Sequence, residues 1–315
     1  MKNHRKSLVR KIISIIVVVA IFYFLLGTLF ANYQKLSEHR FEIVYSRLII
    51  SFVLLLFVFL FNPLAWVRIL NEMKEEMDFQ KAFSIFYVSQ LGKYVPGKVW
   101  TYIGQVYLAE REGIPKERTL ISSVLFQLIS GVTTVYAFVI SLLFWEKLSL
   151  ALTILAFLCF SVSCLILLRL GLLDWMINLV LNRLLRRKTV VKIGANTVIY
   201  AVSVLMLSWM TYGVAYYHFV NSFYPIDVIS SVSFTGIYAI SWLIGYLSFI
   251  TPGGLGIREG VQVYLLNLFL PLPISIIISL ACRIWLTVGE ISVALISLVF
   301  VMKRQQMRTT ERNIS

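Results

Sequence analysis

Six charged side chains stand beside or inside stretches of this sequence that are otherwise apolar. Arg258 and Glu259 follow the break "TPGG" (251–254) and open an apolar run. Arg283 and Glu290 share the last long apolar stretch, seven residues apart and therefore near one face of a helix. Lys93 and Lys98 bracket a second break, "KYVPGK" (93–98), with Tyr94, Trp100 and Tyr102 close by. Proline removes a backbone donor and restricts its predecessor, while glycine permits positive φ. A helix that starts just after such a break presents unsatisfied N–H groups, a ready place for an anion. The chemistry expected is therefore recognition of a lipid headgroup. The helix starts after Gly97, Gly253 and Gly254, with Lys98 and Arg258, would contact phosphate. Glu259 and Glu290 would position the cations, including Lys93 and Arg283, or meet an amino or sugar group. Tyr94 and Trp100 would stack on a sugar or edge the cavity.

Each feature also has a purely structural explanation. Lys93 and Lys98 could snorkel to the interface among belt aromatics. Glu259 could pair with Arg258, Lys98 or Arg283, so that the four buried charges form a structural network. Gln90, Gln105, Gln127, Ser130 and Thr133 are weaker candidates, since interhelical hydrogen bonding accounts for such residues. His218 reads as interfacial. Cys159, Cys164 and Cys282 lie in apolar runs with no CxxC or Cys/His cluster, so packing is expected and no metal. No HExxH, GxSxG, phosphate loop or paired soluble carboxylates occur. No catalytic residue or cofactor is therefore expected, and the residues argue against an enzyme.

The elements that must hold these residues are membrane helices. The chain has 315 residues, of which 59% are hydrophobic and only 14% charged, against roughly 25% charged in soluble domains. Its mean hydropathy is +0.84. Apolar runs long enough to span a bilayer recur at about 12–31, 43–67, 119–143, 149–169, 194–220, 228–249 and 274–301, with a short one near 256–270. The fold class expected is all-α: a polytopic integral membrane protein of about 8 transmembrane helices, plus a re-entrant hairpin and a broken helix, in one transmembrane domain over 1–315. The formal charge of +14 is concentrated in patches that suit cytoplasmic loops and anionic headgroups rather than nucleic acid.

Charge sidedness fixes the topology. The basic N-terminus, the loop "NRLLRRKTVVK" (182–192) and the basic tail 302–315 all favour the cytoplasm, which places both termini there. An even number of crossings must then join them. Gly256 to Leu270 is 15 residues, about 22 Å of helix, short of a hydrocarbon core roughly 30 Å thick. A broken helix over about 249–270 follows, with part of its backbone at membrane depth. Residues 67–82, "VRILNEMKEEMDFQKA", look like an amphipathic cytoplasmic loop. The segment 83–109 has two arms too short to span and reads as a re-entrant hairpin, tolerated only where protein or a wet cavity covers it. Paired broken elements in two halves of a chain point to a transporter's binding site.

"GKYVPGKVW" (92–100) together with "TPGGLGIREG" (251–260) resembles the lysylphosphatidylglycerol synthase transmembrane-domain family, a flippase-like group of prokaryotic cell-membrane proteins. The resemblance covers almost the whole chain. It implies functional positions at Lys93, Tyr94, Pro96, Gly97, Val99 and Trp100, and at Pro252, Gly253, Gly254, Gly256, Arg258, Glu259 and Gly260. In the bifunctional members such a domain precedes a soluble aminoacyltransferase, and the membrane part is held to move the aminoacylated lipid outward. This sequence is expected to be a stand-alone member, since it ends after its last helix.

The function expected is that of a flippase-like lipid transporter in the cytoplasmic (inner) membrane. Its substrate would be an anionic, aminoacylated or glycosylated lipid: a phospholipid, a glycolipid or a polyprenyl-phosphate-linked sugar. A separate lipid-modifying synthase and a homodimer are compatible partners, and nucleic acid is not. Two other classes fit the same residues: a membrane-embedded glycosyl- or aminoacyl-lipid transferase, and a non-catalytic partner of an envelope-lipid synthase.

Overall fold

A computed structural model describes residues 43–94, 99–145, 193–248, 251 and 254–314, with isolated helical positions at Tyr23 and between 151 and 179. The described residues are helical: α1 (Tyr45–Glu72), α2 (Phe79–Gln90), a 3-10 turn (Leu91–Tyr94), α3 (Trp100–Glu110), α4 (Lys116–Leu142), α5 (Ala195–Asn221), α6 (Val228–Leu247), α7 (Ile257–Leu266) and α8 (Leu272–Ile314). Five are long and apolar enough to cross a membrane: α1, α4, α5, α6 and the Leu272–Phe300 part of α8. The expected spans 12–31 and 149–169, the loop 182–192 and the side chains of the tail lie outside the described residues.

Residues 67–82 differ from the sequence reading. Helix α1 continues to Glu72 and α2 begins at Phe79, leaving only a short turn between them. Trp66, Ile69 and Leu70 recur at helical spacing and are fully buried, so the apolar stripe outlasts the charged residues that suggested a loop. The basic tail likewise continues α8 to Ile314.

Polar contacts define the two ends of the bundle. At one end Glu72, closing α1, accepts from the Gly194 N–H (3.2 Å) and the Thr197 hydroxyl (2.7 Å), and so caps the start of α5. There too Arg118 at the start of α4 pairs with Glu75 and donates to the Met73 carbonyl (2.7 Å). Lys81 in α2 meets Glu112 just after α3 (3.1 Å). Both arms of the α2–α3 hairpin therefore open on this end. At the other end the Val44 N–H donates to the Ser222 carbonyl (3.0 Å), and Ser233 donates to the Phe144 carbonyl (3.1 Å). Phe269, in the turn after α7, packs on Phe234 and Trp145. The chain thus returns by way of α7 to the end where α6 began, and α8 leads back. Asp227 caps α6 by accepting from the Ser230 N–H (2.5 Å), which holds its carboxyl below the usual range.

A proline in α1 sets one of the tertiary contacts. Pro63 is buried inside the helix and has no N–H to give the Phe59 carbonyl one turn earlier. The Tyr87 hydroxyl of α2 donates to that carbonyl instead. In an apolar bundle an unpaired carbonyl is costly, so the defect in α1 becomes a docking point for the hairpin. Removing the Tyr87 hydroxyl in Tyr87→Phe should cost about 1–3 kcal/mol of stability in micelle unfolding. The loss should shrink sharply in a Pro63→Ala background, where α1 supplies its own donor. An equal cost in both backgrounds would remove the proline from the explanation.

Candidate functional site

All eight described helices contribute to one cavity of about 280 Å³. Its charged lining is Lys93 from the turn after α2, Arg258 from α7, and Arg283 and Glu290 from α8. Uncharged polar lining comes from Gln90, Gln105, Gln127, Ser123, Ser130 and Ser208. Aromatic walls come from Trp209 and Tyr212 on α5 and from Tyr238, Trp242 and Tyr246 on α6.

The position of Arg258 follows from the break before it. Gly254 has φ +71°, and a Cβ there would lie 2.7 Å from the Gly245 carbonyl oxygen of α6. The broken backbone can therefore lie directly on α6 only because Gly254 has no side chain. Two residues on, Gly256 (φ +81°) caps α7. Its N–H donates to the Glu259 carboxylate (2.6 Å), so this helix start is closed in part by its own side chain. Arg258 is only 9% exposed and lies over the Tyr238 ring, 4.4 Å from its centroid. A desolvated contact of this kind is worth about 2 kcal/mol. Its Nη2 has no hydrogen-bond partner, and Arg258 makes no ion pair with a carboxylate among the described residues.

Glu259 is 1% exposed and does not line the cavity. Beyond its bond to Gly256 it pairs with Arg283 (3.5 Å), one of the partners considered from sequence. The Ser279 hydroxyl lies 3.2 Å from both the Glu259 carbonyl and the Gln262 side-chain oxygen, and Gln262 donates to the Tyr216 hydroxyl (2.6 Å). A buried polar network thus fixes α7 to α8 and α5 behind the cavity wall.

At the hairpin, Lys93 pairs with Glu290 (2.5 Å), bringing together two residues that the sequence placed on separate elements. The Tyr102 and Tyr246 hydroxyls meet at 2.7 Å and join α3 to α6. A Cβ at Gly92 would lie 2.8 Å from the Thr101 nitrogen, so the hairpin arms close tightly near its tip. Trp100 is 46% exposed and does not line the cavity. Gly97, Lys98, Gly253 and the side chain of Tyr94 lie outside the described residues. Gln90, Gln105, Gln127 and Ser130 line the cavity, whereas Thr133 is buried away from it.

The aromatic walls are the part that sequence reasoning missed. Their signal was present: Tyr238, Trp242 and Tyr246 recur every four residues along α6, and Trp209 and Tyr212 lie three apart on α5. Trp242 and Tyr246 stack with centroids 5.3 Å apart, and Tyr212 stacks on Tyr238 at 4.2 Å. The Tyr238 ring under Arg258 is thus also held by a stacked neighbour.

A family model described as lysylphosphatidylglycerol synthase TM region matches residues 11–290. The chain belongs to that family. No curated protein matches the chain. The match extends from the N-terminal basic region to Glu290 and includes every cavity residue and both Pro-Gly breaks. The protein is therefore a multi-pass, flippase-like membrane protein of the lysylphosphatidylglycerol synthase type, and the region matched is the synthase's membrane part rather than its aminoacyl-transferring part.

Within this family's region the glycines near Arg258 differ in what they tolerate. Gly254→Ala should strongly reduce the yield of folded protein, through both the positive φ and the clash with α6. Gly260→Ala should be neutral or stabilising by up to about 1 kcal/mol, because nothing lies within 4 Å of a Cβ there and alanine favours the helix. Size-exclusion yield and thermal unfolding in detergent check both. Equal tolerance at the two positions would contradict the close approach of Gly254 to α6.

Proposed function

We propose that the protein carries a lipid with a phosphate-containing headgroup, whether anionic, aminoacylated or glycosylated, across the cytoplasmic membrane through the cavity between its helices. The observation that carries this reading is Arg258: a buried guanidinium facing the cavity, attracted to Tyr238 but supplied with no oxygen acceptor. Guanidinium presents several N–H donors in a plane, a geometry suited to phosphate oxygens. Lys93 and Arg283 would add positive potential, and the stacked aromatics would cover an apolar or sugar face of the headgroup.

The short elements support a membrane-embedded pathway. Helices α2, α3 and α7 have 12, 11 and 10 residues, each about 15–18 Å long and well short of a hydrocarbon core. In this reading α2–α3 is a re-entrant hairpin, α7 completes a broken helix after Leu247, and the end bearing Glu72 and Arg118 is cytoplasmic, with both termini. The Lys93–Glu290 and Tyr102–Tyr246 contacts hold the hairpin against α8 and α6. Headgroup passage requires these polar contacts to exchange for contacts with the lipid. Lys98, Gly97 and Gly253, by their places in the two breaks, would extend the phosphate contacts; Tyr94 and Trp100 would mark the entrance.

The test is leaflet exchange in vesicles containing the purified protein and a fluorescent phosphatidylglycerol, with dithionite reporting the exposed fraction. Protein-containing vesicles should expose label faster than empty ones, with no change in the lipid's mass. Arg258→Ala, inserted at equal abundance, should slow exchange about tenfold or more, the effect of losing about 1.4 kcal/mol from the rate-limiting state. Exchange no faster than in empty vesicles would overturn the proposal, and a chemically altered lipid would replace it with a transferase.

A further inference from the structure

Among the described residues the charges at the cavity do not balance, and the imbalance specifies a headgroup. Three cations, Lys93, Arg258 and Arg283, are set against two carboxylates, Glu290 on the lining and Glu259 directly behind it. Each carboxylate lies beside a cation. Glu290 pairs with Lys93 at 2.5 Å, and Glu259 lies 3.5 Å from Arg283 through an Oε1 that makes no hydrogen bond, while its Oε2 accepts from the Gly256 N–H at 2.6 Å. Arg258 is the cation left over. Tyr238 attracts its charge but offers the ring face rather than a lone pair, and one guanidinium nitrogen is without an acceptor.

We infer that the site selects a headgroup with a single phosphodiester charge and no ammonium group, and discriminates against aminoacylated lipids. This rests on the lipid-carrier reading and narrows its substrate. A phosphodiester gives Arg258 the oxygen acceptors it lacks, and its one negative charge brings the set of three cations and two carboxylates to neutrality. A lysyl ester of the same lipid adds two ammonium groups. Neither finds an unoccupied carboxylate among the described lining residues, so each must displace Lys93 or Arg283 from its partner or stay unpaired in a largely apolar cavity. Separating a buried pair leaves an uncompensated charge, and specificity arises from that cost as much as from the favourable contact.

The experiment compares binding of dihexanoyl phosphatidylglycerol, its lysyl ester and the soluble diester glycerophosphoglycerol to the purified full chain in detergent, by native mass spectrometry and calorimetry. The phosphatidylglycerol should bind at least about tenfold more tightly than the lysyl ester, a difference of about 1.4 kcal/mol. Arg258→Gln should bring the ratio close to one, while Arg258→Lys retains the order. Glu290→Gln, which removes a carboxylate beside Lys93 and adds to the positive excess, should raise the ratio; a residue of merely structural importance would not move it in that direction. Equal or tighter binding of the lysyl ester overturns the inference while leaving a lipid carrier in place. Glycerophosphoglycerol binding as tightly as the lipid supports the anion selectivity and assigns the site to a soluble phosphodiester instead. Absence of binding by all three probes overturns the lipid-carrier reading and this inference with it.

Discussion

Removing an arginine from water costs several kcal/mol even by the milder insertion scales, and an apolar bundle keeps one only where its surroundings return much of that cost. The backbone before Arg258 lies against α6 at the contact of Gly254 with Gly245, and the Arg258 side chain is buried. What it receives is the face of Tyr238, itself stacked on Tyr212. That return is partial, since a π-face attracts charge without accepting a directed hydrogen bond along each N–H. The remaining deficit is what gives the cavity its chemical character.

The neighbouring charges follow from that placement. Glu259 directly succeeds Arg258, yet it turns to the Gly256 N–H and to Arg283, making the start of α7 and the middle of α8 one unit. Had it paired with Arg258, Arg283 would be the excess cation in its place and the helix start would need another cap. The serine and glutamine behind it, Ser279 and Gln262, complete the arrangement by fixing α7 between α8 and Tyr216 of α5. Buried networks of this kind are costly when incomplete and specific when satisfied. Here, among the described residues, the network leaves two charged groups short of a hydrogen bond, Arg258 at Nη2 and Glu259 at Oε1, and of these only Arg258 lines the cavity.

The long helices were legible because a bilayer-spanning run is the strongest signal a sequence carries. Expected ends at 194–220 and 228–249 became Ala195–Asn221 and Val228–Leu247. The turn at 73–78 was misread as a longer loop, because the charges between Glu72 and Asp78 masked the buried stripe of Trp66, Ile69 and Leu70. Candidate charges could be picked out by type alone, since an ionisable residue in an apolar run is conspicuous. Their pairing could not, because Lys93 and Glu290 are joined only by the way α2 packs on α8. The aromatic walls were visible as a four-residue period in α6, but the same period serves any lipid-facing or core stripe. Only the placement of Arg258 over Tyr238 distinguishes them.

Short helices and long ones divide the work of the bundle in a way that bears on transport. Helices α1 and α5 pack along each other more extensively than any other described pair, and Glu72 fastens their common end. Moving either would disturb a continuous apolar interface. The α2–α3 hairpin combines two kinds of contact: α2 buries Phe83, Ile85 and Phe86 in the core, while polar pairs hold the base of the hairpin (Lys81–Glu112) and its inner end (Lys93–Glu290 and Tyr102–Tyr246). Polar contacts of this sort can be exchanged one for one with the oxygens and hydroxyls of a headgroup, whereas dispersion contacts along a long helix cannot. In the proposed transport the mobile part is therefore the inner end of the hairpin around Lys93 and Tyr102, with the α1–α5 pair and the buried face of α2 as its fixed support. The Tyr87–Phe59 bond limits how far the hairpin can travel, because breaking it leaves the carbonyl exposed by Pro63 without a donor. The proline in α1 thus bears on both the stability of the bundle and the range of its motion.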